Sequence, residues 1–257
     1  MSETEKQRYA SDAAVAEPEP PKPQKPAGNL PAIGWGPLIV GAGVVIAAVT
    51  LLLGTIPIAI ADPELESTAA IDLAQLVVAL ALGGTALGFA LSDADGRLGA
   101  ALRRLGLGGF AWRAMGLAVG AWLLYLVVAA ALNPLIQPDQ EDVTRELGAG
   151  DESVLATVIA GFLIIVAAPV SEEIFFRGFM FAGLRRAMPM IVAALLSAIF
   201  WGALHLSAGN IGVAIQLSAF GAILALLYER TGTLWAPILA HVINNSIAFT
   251  LLVTDTI

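Results

Sequence analysis

Residues 153–184 read SVLATVIAGFLIIVAAPVSEEIFFRGFMFAGL, an apolar run long enough to cross a lipid bilayer as one helix. A spanning helix needs about 20 predominantly apolar residues. Two adjacent glutamates, Glu172 and Glu173, interrupt this run, and Arg177 follows one helical turn later. Ionisable side chains at membrane depth are energetically costly and usually mark a functional site. The segment therefore predicts a membrane helix and also predicts chemistry inside the membrane.

The composition of the whole chain is typical of a polytopic membrane protein. Of its 257 residues, 58% are hydrophobic and only 13% are charged, and the mean hydropathy is +0.81. These values exclude an ordinary soluble domain. Membrane lipid is the expected environment, and no nucleic-acid partner is expected. The chain has no cysteine, which excludes disulfides, thiolate metal ligands and cysteine nucleophiles.

The distribution of apolar runs predicts an all-α, polytopic transmembrane bundle of about seven spans. The predicted spans are 34–60, 69–91, 112–136, 153–184, 189–206, 210–229 and 233–254. Together they form one transmembrane helical domain over residues 34–257. Residues 1–33 are polar and rich in proline, and we expect them to form a disordered cytoplasmic tail. The tail lacks the pattern of a cleaved signal peptide, so the first span is expected to act as an uncleaved signal anchor.

The positions of lysine and arginine predict the orientation in the membrane. If the N-terminus is cytoplasmic, every basic residue except Arg145 falls on the cytoplasmic side, and the outer loops 61–67 and 138–152 are acidic. The positive-inside rule favours this arrangement. The segment 98–110, LGAALRRLGLGGF, is expected to lie along the cytoplasmic interface, because an additional span there would place two arginines in lipid. The glycine- and alanine-rich spans fit a multi-pass protein of a bacterial inner membrane.

The two glutamates are expected to have different roles. Glu173 and Arg177 are four residues apart on a helix, so their side chains can meet and neutralise each other. This pairing has a structural interpretation, in which it supports the helix and helps to end the span. Glu172 points about 100° away around the helix and has no second cation near it in sequence. We therefore consider Glu172 the candidate general base.

Three further polar side chains lie on two other predicted spans. His205 and His241 are the only histidines of the chain, and Asn245 shares a helical face with His241. Taken singly, each has a structural interpretation as an interfacial residue or an interhelical hydrogen-bonding pair. Counted from the cytoplasmic helix ends, Glu172 and His205 lie at about 20–25 Å, and His241 and Asn245 at about 12–18 Å. All four side chains therefore lie within the hydrocarbon layer, on three different helices, which indicates one polar, water-containing pocket.

Several familiar proteolytic chemistries are missing from the sequence. It contains no H-E-x-x-H zinc motif and no G-x-S-x-G serine motif. No pair of aspartates lies within the spans, since Asp72 is at a helix edge and the others are in tails or loops. Activation of a water molecule by a glutamate is the chemistry that remains.

The polar residues resemble the motifs of the CAAX protease and bacteriocin-processing (CPBP, also called Abi) membrane proteins, which include the type II CAAX prenyl endopeptidase. SEEIFFRG at 171–178 is similar to the family's E-E-x-x-x-R motif. FWGALHL at 200–206 and TGTLWAPILAHVINNS at 231–246 follow as the second and third motifs. The resemblance covers about residues 105–250. The second motif is usually F-x-x-x-H, and Trp201 holds the aromatic place here, a change expected to preserve packing.

The resemblance implies an intramembrane endopeptidase that acts on a protein or peptide with a membrane-proximal cleavage site. Glu172 would activate the attacking water with help from His205. His241 and Asn245 would stabilise the oxyanion of the tetrahedral intermediate, and two supporting residues, Glu173 and Arg177, would fix the helix geometry. No cofactor is favoured. In the alternative, Glu172, His205 and His241 would hold a zinc ion with an open position for water.

Two other functions stay open at the level of sequence. A non-catalytic immunity or scaffold protein could reuse the same fold and polar pocket, since fold alone does not establish chemistry. A transporter with a carboxylate proton relay would need acidic residues on both sides of the bilayer midplane, and the sequence shows one cluster. The sequence does not distinguish prenylated from unprenylated substrates.

Overall fold

The computed structural model describes residues 28–63, 67–110, 112–136, 154–206 and 211–254. Most of the predicted tail, residues 1–27, lies outside the described residues. The acidic loop at 138–152, with Arg145, and residues 64–66 of the other acidic loop also lie outside them. The statements below refer to the described ranges.

The described residues form eight helices and no strand. The helices are α1 (Pro37–Ala61), α2 (Thr68–Asp93), α3 (Leu98–Arg104), α4 (Trp112–Ile136), α5 (Val154–Arg185), α6 (Met190–Ala203), α7 (Ile211–Thr231) and α8 (Trp235–Val253). Within the described ranges, five of them (α1, α2, α4, α5 and α7) are long and apolar enough to cross a membrane by length and composition. The protein is therefore an all-α, polytopic membrane bundle, as the sequence predicts.

The seven predicted spans coincide with seven of these helices, and α3 is the short helix of the predicted interfacial segment. The helix α6 is the exception in length, because it has 14 residues where the prediction had a span over 189–206. Such a helix rises about 21 Å, less than the roughly 30 Å of a hydrocarbon core. A count of seven complete spans therefore stays a prediction.

Polar contacts between distant segments gather at one end of the bundle. Arg185, at the end of α5, pairs with Glu229 near the end of α7, with 3.2 Å between Nη2 and Oε1. Arg104 of α3 pairs with Asp93 at the end of α2. These segments belong to the side that the arginine distribution assigns to the cytoplasm. The contacts place these segments at one end of the bundle, and the assignment of that end to the cytoplasm stays a prediction.

Residues 28–33 differ from the prediction of a disordered tail, because they pack against the helices. Leu30 is only 6% exposed. The side-chain amide of Asn29 donates to the Arg230 carbonyl at 2.7 Å, and Arg186 donates to the Ile33 carbonyl, also at 2.7 Å. Burial of an apolar side chain and satisfaction of backbone carbonyls hold this segment in place. The packed domain thus begins before residue 34.

The helix α5 lies in the middle of the bundle and includes two π-helical segments, Leu163–Ala167 and Glu173–Phe181. Such segments are frequent at functional sites, since their altered hydrogen-bond pattern distorts the regular ladder. Three carbonyls of these segments accept side-chain hydrogen bonds from other helices or from the segment before α1. The pairs are Asn245 to Ile164 at 2.9 Å, Ser197 to Phe176 at 2.8 Å and Trp35 to Phe179 at 3.0 Å. The π-helical backbone thereby fixes its neighbours around the two glutamates.

Close packing of α6 and α7 depends on glycine. A Cβ atom added at Gly202 would overlap Ser218 Oγ and would lie 2.5 Å from the Ala214 carbonyl oxygen. A Cβ atom at Gly221 would lie 2.9 Å from the ring of Trp201 and 3.0 Å from a nitrogen of Arg177. Small residues allow this approach of helices in a membrane. The approach places α7 directly against the polar residues of α5 and α6.

Candidate active site

Glu173 and Arg177 form a completely buried ion pair in α5. Arg177 Nη1 donates to Glu173 Oε1 at 2.7 Å, and both side chains are 0% exposed. Arg177 Nη2 also donates to the carbonyl of Gly221 at 3.2 Å. Buried charges need such pairing and additional hydrogen bonds. The structure therefore contains the contact that the four-residue spacing predicted, and Arg177 is paired with Glu173.

Glu172 lies beside this pair but has a different partner. Its Oε2 accepts a hydrogen bond of 2.6 Å from the indole Nε1 of Trp201, and the residue is 9% exposed. In the described part of the chain, no lysine or arginine forms an ion pair with Glu172. A neutral N–H group thus orients this carboxylate without cancelling its charge. Its other oxygen, Oε1, has no hydrogen bond to another described residue and can accept one from a water molecule.

His241 lies between the two carboxylates. Its Nδ1 is 2.9 Å from Glu173 Oε1, and its Nε2 is 4.0 Å from Glu172 Oε2. Since an ionised carboxylate can only accept, Nδ1 carries a hydrogen and donates it to Glu173. Nε2 can donate as well only when the ring is doubly protonated. Glu173 therefore fixes the orientation of the His241 ring.

A cavity of about 360 Å³ opens next to Glu172. Its polar side chains are Glu172, His205 and Asn245, with Gln75 from α2. The apolar part of its wall includes Leu51, Val78, Leu82 and Ile164. Small-molecule and peptide sites commonly combine an apolar wall with a few placed polar groups. The structure therefore brings three of the four predicted catalytic residues to one cavity.

The fourth predicted residue, His241, is buried and is not part of this cavity wall. The resemblance implies that His241 donates to the oxyanion, whereas in the structure it lies behind Glu172 and is hydrogen-bonded to Glu173. In this geometry the ring is bonded to Glu173 and makes no hydrogen bond to Glu172, whose Oε2 lies 4.0 Å from Nε2. Asn245 remains in a position to act as a donor in the cavity.

His205 lies in the turn that follows α6, and its ring is held by the same residue that binds Glu172. Its Nδ1 is 3.0 Å from the carbonyl oxygen of Trp201. Because a carbonyl can only accept, Nδ1 carries the hydrogen in this contact, and Nε2 of the neutral ring, which has no hydrogen bond to a described residue, can accept one. The ring is also edge-on to the Trp201 indole, with 5.2 Å between centroids. His205 is thus oriented as a proton acceptor at the cavity.

Asn245 is oriented by the π-helical part of α5. Its Nδ2 donates to the carbonyl of Ile164 at 2.9 Å. A side-chain amide carries two hydrogens on this nitrogen, so one hydrogen remains to bind a group in the cavity. A preoriented donor of this kind can stabilise a developing negative charge.

The described residues do not supply the ligand set of the zinc alternative. Among them, no three histidine, cysteine, aspartate or glutamate side chains are placed to hold a metal ion. No step of the mechanism below is therefore assigned to a metal.

Two cavity residues have positions at the site that the sequence did not indicate. Trp201 was expected only to pack, yet its indole nitrogen binds Glu172. Gln75 lies in the second span, outside the region of the motif resemblance, and it was not considered. A single amide within an apolar span was the available signal for Gln75. The hydrogen bond of Trp201 had no comparable signal, since it depends on the rotamers of two helices.

Comparison with known proteins places the site within a described family. Residues 154–247 match the family model described as type II CAAX prenyl endopeptidase Rce1-like. A relative named "Putative membrane peptidase YdiL", from Bacillus subtilis (strain 168), is 30% identical over 99 residues. That alignment covers 37% of this chain and 39% of the relative, so the chain spans well under two thirds of its length. No solved structure matches the chain.

All six predicted site residues fall inside the matched segment, whereas Gln75 lies outside it. The match and the relative support the same family as the three motifs. Residues 154–247 are therefore homologous to the CAAX protease and bacteriocin-processing membrane proteins, which confirms the resemblance that the motifs indicated.

Proposed function

We propose that this protein is an intramembrane endopeptidase that hydrolyses a peptide bond of a membrane-associated protein or peptide with water activated by Glu172. One observation carries the proposal. Glu172 lines an apolar cavity together with His205 and Asn245, while the nearby cation, Arg177, is paired with Glu173. A carboxylate that is oriented but not neutralised is suited to act as a general base.

In the proposed reaction, a water molecule lies between Glu172 Oε1 and the carbonyl carbon of the bond to be cut. Glu172 accepts one proton as the water oxygen attacks, and the free Nε2 of His205 assists in orienting that water. The resulting oxyanion binds the second amide hydrogen of Asn245. The C–N bond then breaks as Glu172 returns the proton to the leaving amine. The products are a new carboxyl group and a new amino group. His241 stays hydrogen-bonded to Glu173 behind Glu172 and takes no part in these proton transfers.

The lining of the cavity suggests which kind of side chain the substrate carries next to the cleaved bond. The cavity wall around the polar groups is apolar, so we propose that it accepts an apolar side chain next to the cleaved bond. The matched family model concerns prenyl endopeptidases, and a prenylated peptide is one candidate of this chemistry. The protein is a multi-pass membrane protein, for which we propose a bacterial inner membrane and a cytoplasmic N-terminus.

We expect Gln75 to bind the backbone of the peptide substrate, because this residue of α2 lines the same cavity as Glu172, His205 and Asn245. The Gln75→Ala protein should lose one neutral hydrogen bond to the substrate, a contribution of about 0.5–1.5 kcal/mol. KM should therefore rise about two- to tenfold, with a smaller change in kcat. Steady-state kinetics on a quenched fluorescent peptide measures both constants.

Gln216→Ala is the matched control for this change, because Gln216 lies on α7 and donates to Asn133 instead of lining the cavity. Its KM should equal that of the wild type. An unchanged KM for Gln75→Ala would show that the amide does not contact substrate.

The proposed function can be tested without knowing the substrate in advance. Membranes are prepared from cells that make either the wild-type protein or Glu172→Gln, and their peptides are compared by mass spectrometry. We expect cleaved peptides that occur only with the wild type, with cuts close to the edge of a hydrophobic segment. Identical peptide sets at equal protein levels would contradict the proposal and would favour the immunity or scaffold alternative.

A further inference from the structure

The side chain of Trp201 contacts both the carboxylate of Glu172 and the guanidinium group of Arg177. It is 1% exposed, and its indole nitrogen donates to Glu172 Oε2 at 2.6 Å. The guanidinium carbon of Arg177 lies 4.7 Å from the centroid of the same ring system. The N–H edge of the indole therefore meets the carboxylate, while its face meets the cation. Each contact is favourable for an aromatic ring of this electronic structure.

The two contacts keep neighbouring opposite charges apart. Arg177 binds Glu173 and the Gly221 carbonyl, and its contact with the indole face occupies a further side of the guanidinium. If the arginine paired with Glu172 instead, the carboxylate would be neutralised and would become a poorer base. An indole cannot carry a positive charge, so it orients Glu172 and leaves its negative charge available.

Trp201 also determines how His205 is presented. Its carbonyl oxygen binds the Nδ1 of His205, and its ring packs against the edge of the same imidazole. One residue thus contacts both groups that face the water in the proposed mechanism. A phenylalanine, the residue usual at this motif position, would keep an aromatic face for Arg177 and His205 but would have no donor for Glu172.

On this geometry, and resting on the proposed function, we propose that Trp201 is a positioning residue that aims Glu172 at the water and prevents its pairing with Arg177. The role is specific to the indole N–H group. The sequence expectation that tryptophan only preserves packing at this position is thereby extended, since the ring packs and also donates.

Trp201→Phe tests this role with a minimal change. The substitution removes a hydrogen bond to a charged group. If this bond is lost from the transition state, kcat should fall about 10- to 100-fold. KM should stay the same, because the N–H group binds the enzyme's own carboxylate and does not bind substrate. The assay uses an internally quenched peptide built around a cleavage site found by the membrane-peptide comparison.

Trp122→Phe is the matched control. The indole nitrogen of Trp122 is buried and has no hydrogen-bond partner among the described residues, so the same substitution removes an unused N–H group. We expect its kcat to equal that of the wild type. A wild-type kcat for Trp201→Phe, with Glu172→Gln inactive, would overturn the positioning role and leave the protease proposal intact. Full activity of Glu172→Gln would instead overturn the proposed function.

A spectroscopic measurement decides the case in which Trp201→Phe fails to fold. The protein is labelled with ¹⁵N in its five tryptophans, and the indole ¹H resonances are recorded in detergent for the wild type and for Glu172→Ala. The Trp201 resonance should move upfield when its acceptor is removed, while that of Trp122 should not move. A Trp201 resonance that is the same in both proteins would show that the hydrogen bond does not exist and would overturn the proposal.

Discussion

Replacing Arg177 by methionine is expected to destabilise the protein by about 3–5 kcal/mol, because the change leaves a buried carboxylate without its cation. Glu173 and Arg177 are both 0% exposed, and 2.7 Å separates the paired atoms. The loss also removes the bond to the Gly221 carbonyl and the contact with the Trp201 ring. Reversible unfolding in mixed micelles, followed by circular dichroism, measures the free energy of unfolding.

The double variant Glu173→Gln/Arg177→Met is the control for this prediction. It removes both charges, so no unpaired ion remains in the interior, and it should be more stable than Arg177→Met alone. His241 would still meet a polar group at position 173. A free energy of unfolding for Arg177→Met equal to that of the wild type would show that the ion pair has no structural role.

Replacing Glu172 by glutamine is expected to lower kcat by about 10²- to 10⁴-fold, the usual contribution of a positioned general base. Glutamine has nearly the same shape and can still accept the hydrogen bond from Trp201, but it cannot take a proton from water. The stability of the protein should therefore stay close to that of the wild type. Initial rates on a quenched peptide and unfolding in mixed micelles provide the two measurements.

Glu173→Gln is the informative control, because the carboxylate of Glu173 is expected to stabilise the fold and not to activate water. It should reduce stability, because Arg177 and His241 both bind Glu173 Oε1.

Wild-type cleavage is expected to persist in EDTA, because the mechanism assigns no step to a metal. Inhibition by EDTA that excess zinc reverses would contradict this mechanism, as would a glutamine variant at position 172 with the wild-type rate.

Much of the fold could be predicted because hydropathy reports directly on membrane burial. The third span, 112–136, has the same bounds in the sequence and in the structure, and most others differ by a few residues. The shorter α6 could not be predicted, because apolar residues continue past its end with Leu204 and Leu206. In the structure residues 204–206 form a turn, in which each backbone N–H donates to the carbonyl three residues earlier. The packing of Leu30 was missed because it depends on distant helices.

The site, like the fold, contains contacts that the sequence could predict and contacts that it could not. The spacing of Glu173 and Arg177 predicted a local contact, and the structure contains it. Depth along three helices predicted that Glu172, His205, His241 and Asn245 would meet. Three of them line one cavity, and His241 lies outside its wall, bonded to Glu173. The hydrogen bond from Trp201 and the contribution of Gln75 involve rotamers and contacts between helices far apart in sequence. Periodicity and spacing contain no information about such contacts.

The central claim is that the carboxylate of Glu172 activates water to cut a peptide bond. The most direct test is cleavage of the quenched peptide by purified protein in an equal mixture of H₂¹⁶O and H₂¹⁸O, with the product examined by mass spectrometry. Wild-type product should contain ¹⁸O in the new carboxyl group of half its molecules, and Glu172→Gln should form almost no product. Labelled product formed by Glu172→Gln at the wild-type rate would contradict the claim.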